Sequence, residues 1–343
     1  ADWPKGSMRS IVEWDTNKPL GEIEQVEHTY AVMGNMNEHQ LTVVESTWGG
    51  RPELVDTTGI IDYGSLMQLA LERAKTAREA IKVMTGLVKK YGYYSSGESF
   101  TIADPNEAWI LDLIGKGPGR RGAVWVAVRI PGDCIAGHAN YPRIHKIPMD
   151  DKENCLYSPD VISFAREMGY FDGLNKDFSF ARAYSPADFG ALRACDARVW
   201  SFFRKYDSTM DNYLPYVNGE SAEPFPLYVK PSRKLSVQDM KEAMRDHFED
   251  TPFDMTQDVG AGPFKVPYRF RPMSFEVDGK SYCMERAIAT QQTGFTLVGQ
   301  MRNWLPDPVG GVLWFGVDDD VVCHNRAVTF SYQFVHVCQR FFA

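Results

Sequence analysis

Residues 99–130 read SFTIADPNEAWILDLIGKGPGRRGAVWVAVRI, and the fold class turns on them. Three apolar runs, 99–103, 108–114 and 123–130, are rich in β-branched and aromatic side chains. Asp104-Pro105-Asn106 separates the first two, and the glycine-rich stretch from Gly115 to Gly122 separates the second from the third. Gly, Pro and Asn interrupt extended chain because they favour turn dihedrals or lack a ladder donor, so these short connections predict adjacent antiparallel strands. No helix-length segment lies between the runs, which argues against a regular βαβ alternation.

Working outward, residues 29–33 and 41–48 form two further extended segments about the turn-like Gly34-Asn35-Met36-Asn37-Glu38, a hairpin pattern. Two helices follow the loop Trp48-Gly49-Gly50-Arg51-Pro52. In residues 65–74, Leu66, Leu69 and Ala70 recur at helical spacing. In the second, Thr76 offers a cap, Ala77, Ile81, Met84 and Val88 share one face, and Gly92 sits past the end. Further helices are expected near 159–168, 187–205 and 236–249. In the last, Ser236 and Asp239 approximate a capping box before the stripe Val237, Met240, Met244 and Phe248. Strand signal returns at 286–304 and 311–317. The order of strands, two helices and more strands predicts an α+β fold, with two mostly antiparallel sheets and helices outside.

A chain of 343 residues is one large or two ordinary domains, and 44% apolar with 24% charged residues is ordinary globular composition. The net charge is −8 and no basic block is present, which argues against nucleic acid as a partner. No run of about 18 apolar residues occurs, so no membrane-spanning helix is expected. Ala1-Asp2-Trp3-Pro4-Lys5-Gly6 has neither the basic start nor the apolar stretch of a secretory signal. The six cysteines form no CxxC pair, which disfavours a zinc ribbon or a thioredoxin site. The GxSxG, GxxxxGK[ST] and HExxH patterns are absent.

The stretch Gly137-His138-Ala139-Asn140-Tyr141-Pro142-Arg143-Ile144-His145 gathers polar groups where the third run of strands ends. An Asn amide there either donates to a developing oxyanion or satisfies its own turn. Cys134 and His138, four apart, do not make a tetrahedral metal site without a second pair, so a structural role and no metal are expected. Asp318-Asp319-Asp320 reads as a solvated turn rather than a cation loop. On the helix through Leu192 and Val199, Arg198 at the border of the apolar stripe either turns inward to clamp a carboxylate or snorkels outward, while Arg193 could pair with Asp196. Glu45-Ser46-Thr47-Trp48 either faces a pocket or simply finishes a sheet.

Several long blocks resemble the secernin-like dipeptidases, which are cysteine-dependent N-terminal-nucleophile hydrolases. They include Glu45-Ser46-Thr47-Trp48-Gly49-Gly50-Arg51, Ala74-Lys75-Thr76-Ala77-Arg78-Glu79-Ala80, His138-Ala139-Asn140, Cys155-Leu156-Tyr157-Ser158-Pro159-Asp160 and Trp304-Leu305-Pro306-Asp307-Pro308. The resemblance spans residues 30–319. It implies an αββα sandwich and hydrolysis of dipeptides or other small amides without a cofactor. It further implies attack by a thiol on the first residue of the mature chain, whose own α-amine is the base. By position, Asn140 and Arg198, or Arg193 failing it, match the catalytic surroundings, and Glu45, Thr47, Trp48 and His138 are the candidate substrate contacts. Bacterial members imply a periplasmic or secreted location, and homo-oligomers stay open.

Members begin with a Cys-Thr pair followed by Asp-Gly-Ser, whereas this sequence opens at Ala1 and has no cysteine near it. The expectation is therefore a partial domain over residues 1–319, incomplete at both ends and catalytically silent by itself, with a divergent tail at 320–343. A missing first strand would leave a sheet edge unpaired. Two rival readings stand beside this one. The first is an amidase or acylase, if Trp48, Trp109 and Trp125 converge on a pocket for a bulky acyl group. The second is a non-catalytic binding protein with the same fold.

Overall fold

The computed structural model describes residues 1–269 and 274–317, and the backbone of Arg326–Ala327. Strands β1 (Met8–Val12) and β2 (Pro19–Glu24) form an antiparallel hairpin. Then come β3 (Val32–Met33), β4 (Met36–Asn37), β5 (Thr42–Trp48), β6 (Gly97–Ala103), β7 (Ala108–Gly115), β8 (Ala123–Arg129), the short β9 (Ile135–Ala136) and β10 (Cys155–Tyr157). Seven of them build one sheet in the order β10-β8-β7-β6-β5-β4-β3, antiparallel at every pairing. The three runs of residues 99–130 are its centre. Their first turn is fixed by Asp104, whose Oδ1 accepts the Asn106 and Glu107 amides at 2.7 and 2.9 Å and sets Ala103 opposite Ala108.

Helices α1 (Tyr63–Arg73) and α2 (Ala77–Tyr91) form where their caps allow. Asp62 accepts the Ser65 amide at 2.9 Å, Thr76 accepts that of Glu79 at 3.3 Å, and Gly92 ends α2 at φ 80°. Leu66, Leu69, Ile81, Met84 and Val88 bury against Val43, Phe100, Ile102, Trp109, Leu111 and Leu113 on one face of the sheet. Strand alternation sends Val44, Trp48, Ile110, Val124, Val126 and Val128 to the other face. There they meet α3 (Val161–Glu167) and α4 (Phe180–Tyr184).

Beyond α5 (Ala197–Arg204) and α6 (Leu214–Val217), β11 (Tyr228–Val229) pairs with β9. After α7 (Val237–Ala243) come an exposed hairpin, β12 (Ser274–Val277) with β13 (Lys280–Cys283), and a three-stranded sheet of β14 (Phe295–Gln300), β15 (Val312–Val317) and β16 (Arg326–Ala327). The short α8 (Asp307–Gly310) links β14 to β15. Leu297 and Leu313 of that sheet join the core of the seven-stranded sheet. Val298 and Trp314 point the other way, into a cluster with Val199, Trp200, Phe202, Phe203 and Met240 of α5 and α7. The fold is thus α+β, as the sequence predicts.

Several boundaries differ. The expected strand at 29–33 is reduced to Val32–Met33, because Thr29 exchanges backbone hydrogen bonds with Ala1 and the Tyr30 amide is taken by Glu72 O. The hairpin β1–β2 was not anticipated. The helix expected over 187–205 starts as a π-helical turn at Ala191–Asp196, before α5. That expected over 236–249 stops at Ala243, although its capping box forms, and Phe248 and Asp250 follow at φ 64° and 59°. Asp318-Asp319-Asp320 lies outside the described residues, as does the tail at 320–343 apart from the backbone of β16. Among the described residues no helix is long and apolar enough to cross a membrane.

Candidate active site

The loop that follows β9 is pinned from below by Asp112, a carboxylate in the middle of the apolar strand β7. Its Oδ2 accepts the amides of Arg143 and Ile144, each at 3.0 Å, and its Oδ1 accepts the Ser99 hydroxyl at 2.6 Å. Burial pushes the Asp112 carboxyl up to about 6, against the pull of these hydrogen bonds. Ser99 in turn accepts the Trp48 indole N–H at 3.1 Å. Arg143, fully buried, donates to Asp196 Oδ2 at 2.9 Å and to the carbonyls of Phe225 and Pro226. Tyr216 donates to the same Asp196 oxygen at 2.9 Å. The loop and the start of α5 are therefore fastened to each other by a buried ion pair.

Above this fastening a cavity of about 330 Å³ opens between the outer edge of β5 and α5, lined in part by Glu45, Ser46, Thr47, His138, Asn140 and Arg198. β4 pairs with β5 only at Met36–Thr42, so among the described residues no strand flanks β5 beyond that point. Asn140 reaches this edge instead. It sits at φ 56°, donates its backbone N–H to Ser46 Oγ at 3.2 Å, and donates Nδ2 to Thr47 O at 2.6 Å. Its Oδ1 accepts Arg198 Nη2 at 2.8 Å, while Arg198 also holds Ala139 O at 3.2 Å and Ala194 O at 2.8 Å. Burial, then the charge of Arg286, lowers the Arg198 guanidinium to about 10, which leaves it cationic at neutral pH.

The His138 ring lies between two hydroxyls, Ser46 Oγ at 2.6 Å from Nδ1 and Thr101 Oγ1 at 2.9 Å from Nε2. Burial and then the charge of Arg143 push it down to about 4, so it is a neutral imidazole at pH 7. Glu98, fully buried, accepts the Tyr93 hydroxyl at 3.4 Å, and burial followed by a hydrogen bond with Glu45 raises its carboxyl well above the usual range. The arrangement offers an amide donor, a fixed positive charge and the Glu45 carboxyl around one opening. Of the described free cysteines, Cys134, Cys155, Cys195 and Cys283, none lines it.

Five of the sequence candidates, Glu45, Thr47, His138, Asn140 and Arg198, are thus brought to one cavity. Trp48 is not on its wall: the ring is 2% exposed, packed in the core against Phe180. Arg193 lies elsewhere, donating to Glu285 at 2.7–3.1 Å and stacking 3.5 Å from the Phe253 ring. Its expected partner Asp196 belongs to Arg143 instead. Arg198 does turn inward, toward Ala139 and Asn140 rather than out to solvent. Trp48, Trp109 and Trp125 do not converge, because Trp48 belongs to one face of the sheet and the other two to the opposite face. Glu98 and Asp112 were missed, while Ser46, Arg143 and Asp196 were quoted without the partners the structure gives them. A charged residue inside the apolar run 108–114 was the available signal for Asp112.

A family model described as Peptidase family C69 matches residues 1–340. A probable dipeptidase of Salmonella dublin is 29% identical over 221 residues, covering 62% of this chain and 48% of that protein. A probable dipeptidase of Latilactobacillus sakei is 27% identical over 259 residues, 76% of this chain and 48% of its own length. Dipeptidase A of Lactobacillus helveticus is 25% identical over 267 residues, 78% and 50% of the two. The chain spans about half the length of these curated relatives. With the family model covering nearly every residue, the chain belongs to peptidase family C69.

Proposed function

We infer that this chain carries the oxyanion side of a dipeptidase of the N-terminal-nucleophile type, built on an αββα sandwich. Relatives named dipeptidases and the order of layers from α1–α2 through two sheets to α5–α7 support that reading. The observation that carries it is Asn140, held at the edge of β5 by Thr47 O and Arg198. An amide nitrogen has two hydrogens and Thr47 O uses one, so the other can meet a carbonyl oxygen in the cavity.

In the reaction, the thiol of an N-terminal cysteine attacks the scissile carbonyl carbon while the α-amine takes its proton. The oxygen gains the displaced electron pair and is stabilised by the Asn140 N–H, with Arg198 fixing that amide. Collapse breaks the C–N bond, the amine leaves with the proton, and water then hydrolyses the thioester. An acyl-amide substrate is less favoured, because the three tryptophans do not assemble a bulky pocket.

The test is to assay the protein extended to an N-terminal Cys-Thr against a panel of dipeptides and N-acyl amides. Dipeptide turnover is expected from the extended protein and none from the 343-residue chain. Turnover by the latter overturns the thiol, and preference for acyl amides overturns the substrate class.

A further inference from the structure

On the far side of the same loop a second cavity, of about 410 Å³, is lined by Tyr141, His145, Arg182, Glu220, Pro186 and Leu192 among others. Two buried polar atoms there have no hydrogen-bond partner: the hydroxyl of Tyr141, a residue 1% exposed, and Nε2 of His145. Ser179 Oγ accepts the Arg182 amide at 3.2 Å and lies 3.2 Å from His145 Nδ1. Its own hydrogen can go to that nitrogen, which leaves the ring proton on Nε2 as a donor. The Tyr141 and His145 rings are 6.5 Å apart; burial acts first on both, then the charges of Asp196, Arg143 and Arg182 on Tyr141 and those of Arg143 and Arg182 on His145.

We propose that this cavity binds an apolar α-amino acid, its carboxylate received by the Tyr141 hydroxyl, the His145 imidazole and the Arg182 guanidinium. Two neutral donors beside one cation match a single carboxylate. Glu220, the acidic residue on the same wall, takes the ammonium and disfavours a dianion such as phosphate. Pro186 and Leu192 supply the apolar surface for the side chain. Asn140 and Tyr141 are consecutive in the chain and line different cavities, so occupancy here bears on the first site.

The experiment is thermal unfolding of the 343-residue protein with L-leucine, leucinamide or 4-methylpentanoate at fixed ionic strength, since a ligand of the native state raises Tm. L-leucine is expected to raise Tm, 4-methylpentanoate to raise it less, and leucinamide to leave it unchanged. Because an amino acid can also enter the first cavity, Arg182→Met decides: this exposed side chain can be removed with the fold kept, and leucine affinity should fall about tenfold. Tyr141→Phe should weaken it likewise. Equal shifts with leucinamide, or a leucine shift unchanged in Arg182→Met, overturn the proposal. So does a wild-type protein indifferent to all three, which would assign the Tyr141 hydroxyl to a water shared with the partnerless Asp196 Oδ1.

Discussion

At the scale of single residues, the site depends on two side chains held in unusual states. Asn140 occupies the left-handed region at φ 56°, where Gly and Asn are the tolerated residues. Asn140→Gly therefore keeps the backbone and removes only the amide. On the proposed reaction, Asn140→Gly in the protein extended to an N-terminal Cys-Thr is expected to lower kcat about 100-fold to 1,000-fold with little change in KM, whereas Asn140→Ala adds backbone strain of about 1–2 kcal/mol. A glycine variant with full kcat would remove Asn140 from the chemistry. His138 is the second case, a base whose pKa in the folded protein, about 4, lies below its ordinary 6.5. As pH falls, the unfolded chain takes the proton first, so the His138 share of stability is whole above about 6.5 and is lost toward 4. Asp112, raised to about 6 from 3.8, works in reverse, its share present below 3.8 and lost as pH rises through 6. The difference between wild type and His138→Gln isolates the histidine. Urea unfolding between pH 4 and 8 should show that difference shrinking as the solution is acidified, and a flat difference would mean the imidazole is not held neutral.

At the scale of elements, what could be read in the sequence is what repeats locally. Strands β6 to β8 announce themselves as apolar runs between turn residues, and helices α1 and α2 by 3.6-residue spacing and by caps within a few residues. The stop of α7 at Ala243 is silent, although its apolar stripe runs on to Phe248; equally silent are pairings set by distant chain, as where Thr29 bonds Ala1 and so shortens β3. The buried pair Arg143–Asp196, 53 residues apart in sequence, is of this kind, and neighbours suggested Arg193 as the partner of Asp196 instead. Glu45, Thr47, His138, Asn140 and Arg198 were found because they lie at element ends in quotable stretches, while the residues that lock them together were not. This lock has a measurable consequence. Removing one member leaves an uncompensated charge with no exposure to water, so Arg143→Met or Asp196→Leu alone should cost about 3–5 kcal/mol by urea unfolding. The double variant should recover most of that loss. Equal cost in single and double variants would show that the pair does not act as a unit.

At the scale of the whole molecule, the two sheets meet through more than apolar contact. Gln40, 1% exposed and at φ 61°, lies in the turn before β5 and reaches the connection between β14 and β15. Its Oε1 accepts the Arg302 amide at 2.9 Å, and its Nε2 donates to Asp307 Oδ1 at 3.0 Å. Gly310 lies so close that an added Cβ would fall 2.2 Å from Gln40 Nε2. Beside the apolar packing of Leu297, Met301 and Leu313, this amide clasp holds the second sheet in register over the first. Gln40→Ala takes the acceptor from the part-buried Arg302 amide and should cost about 1 kcal/mol. The loss should be local: amide exchange in β14 and β15 should quicken, while β6 to β8, paired on both sides, keep their protection. Gly310→Ala should act in the same direction by forcing Gln40 aside. Uniform acceleration across both sheets would show that they open as one unit and that the clasp does not govern their docking.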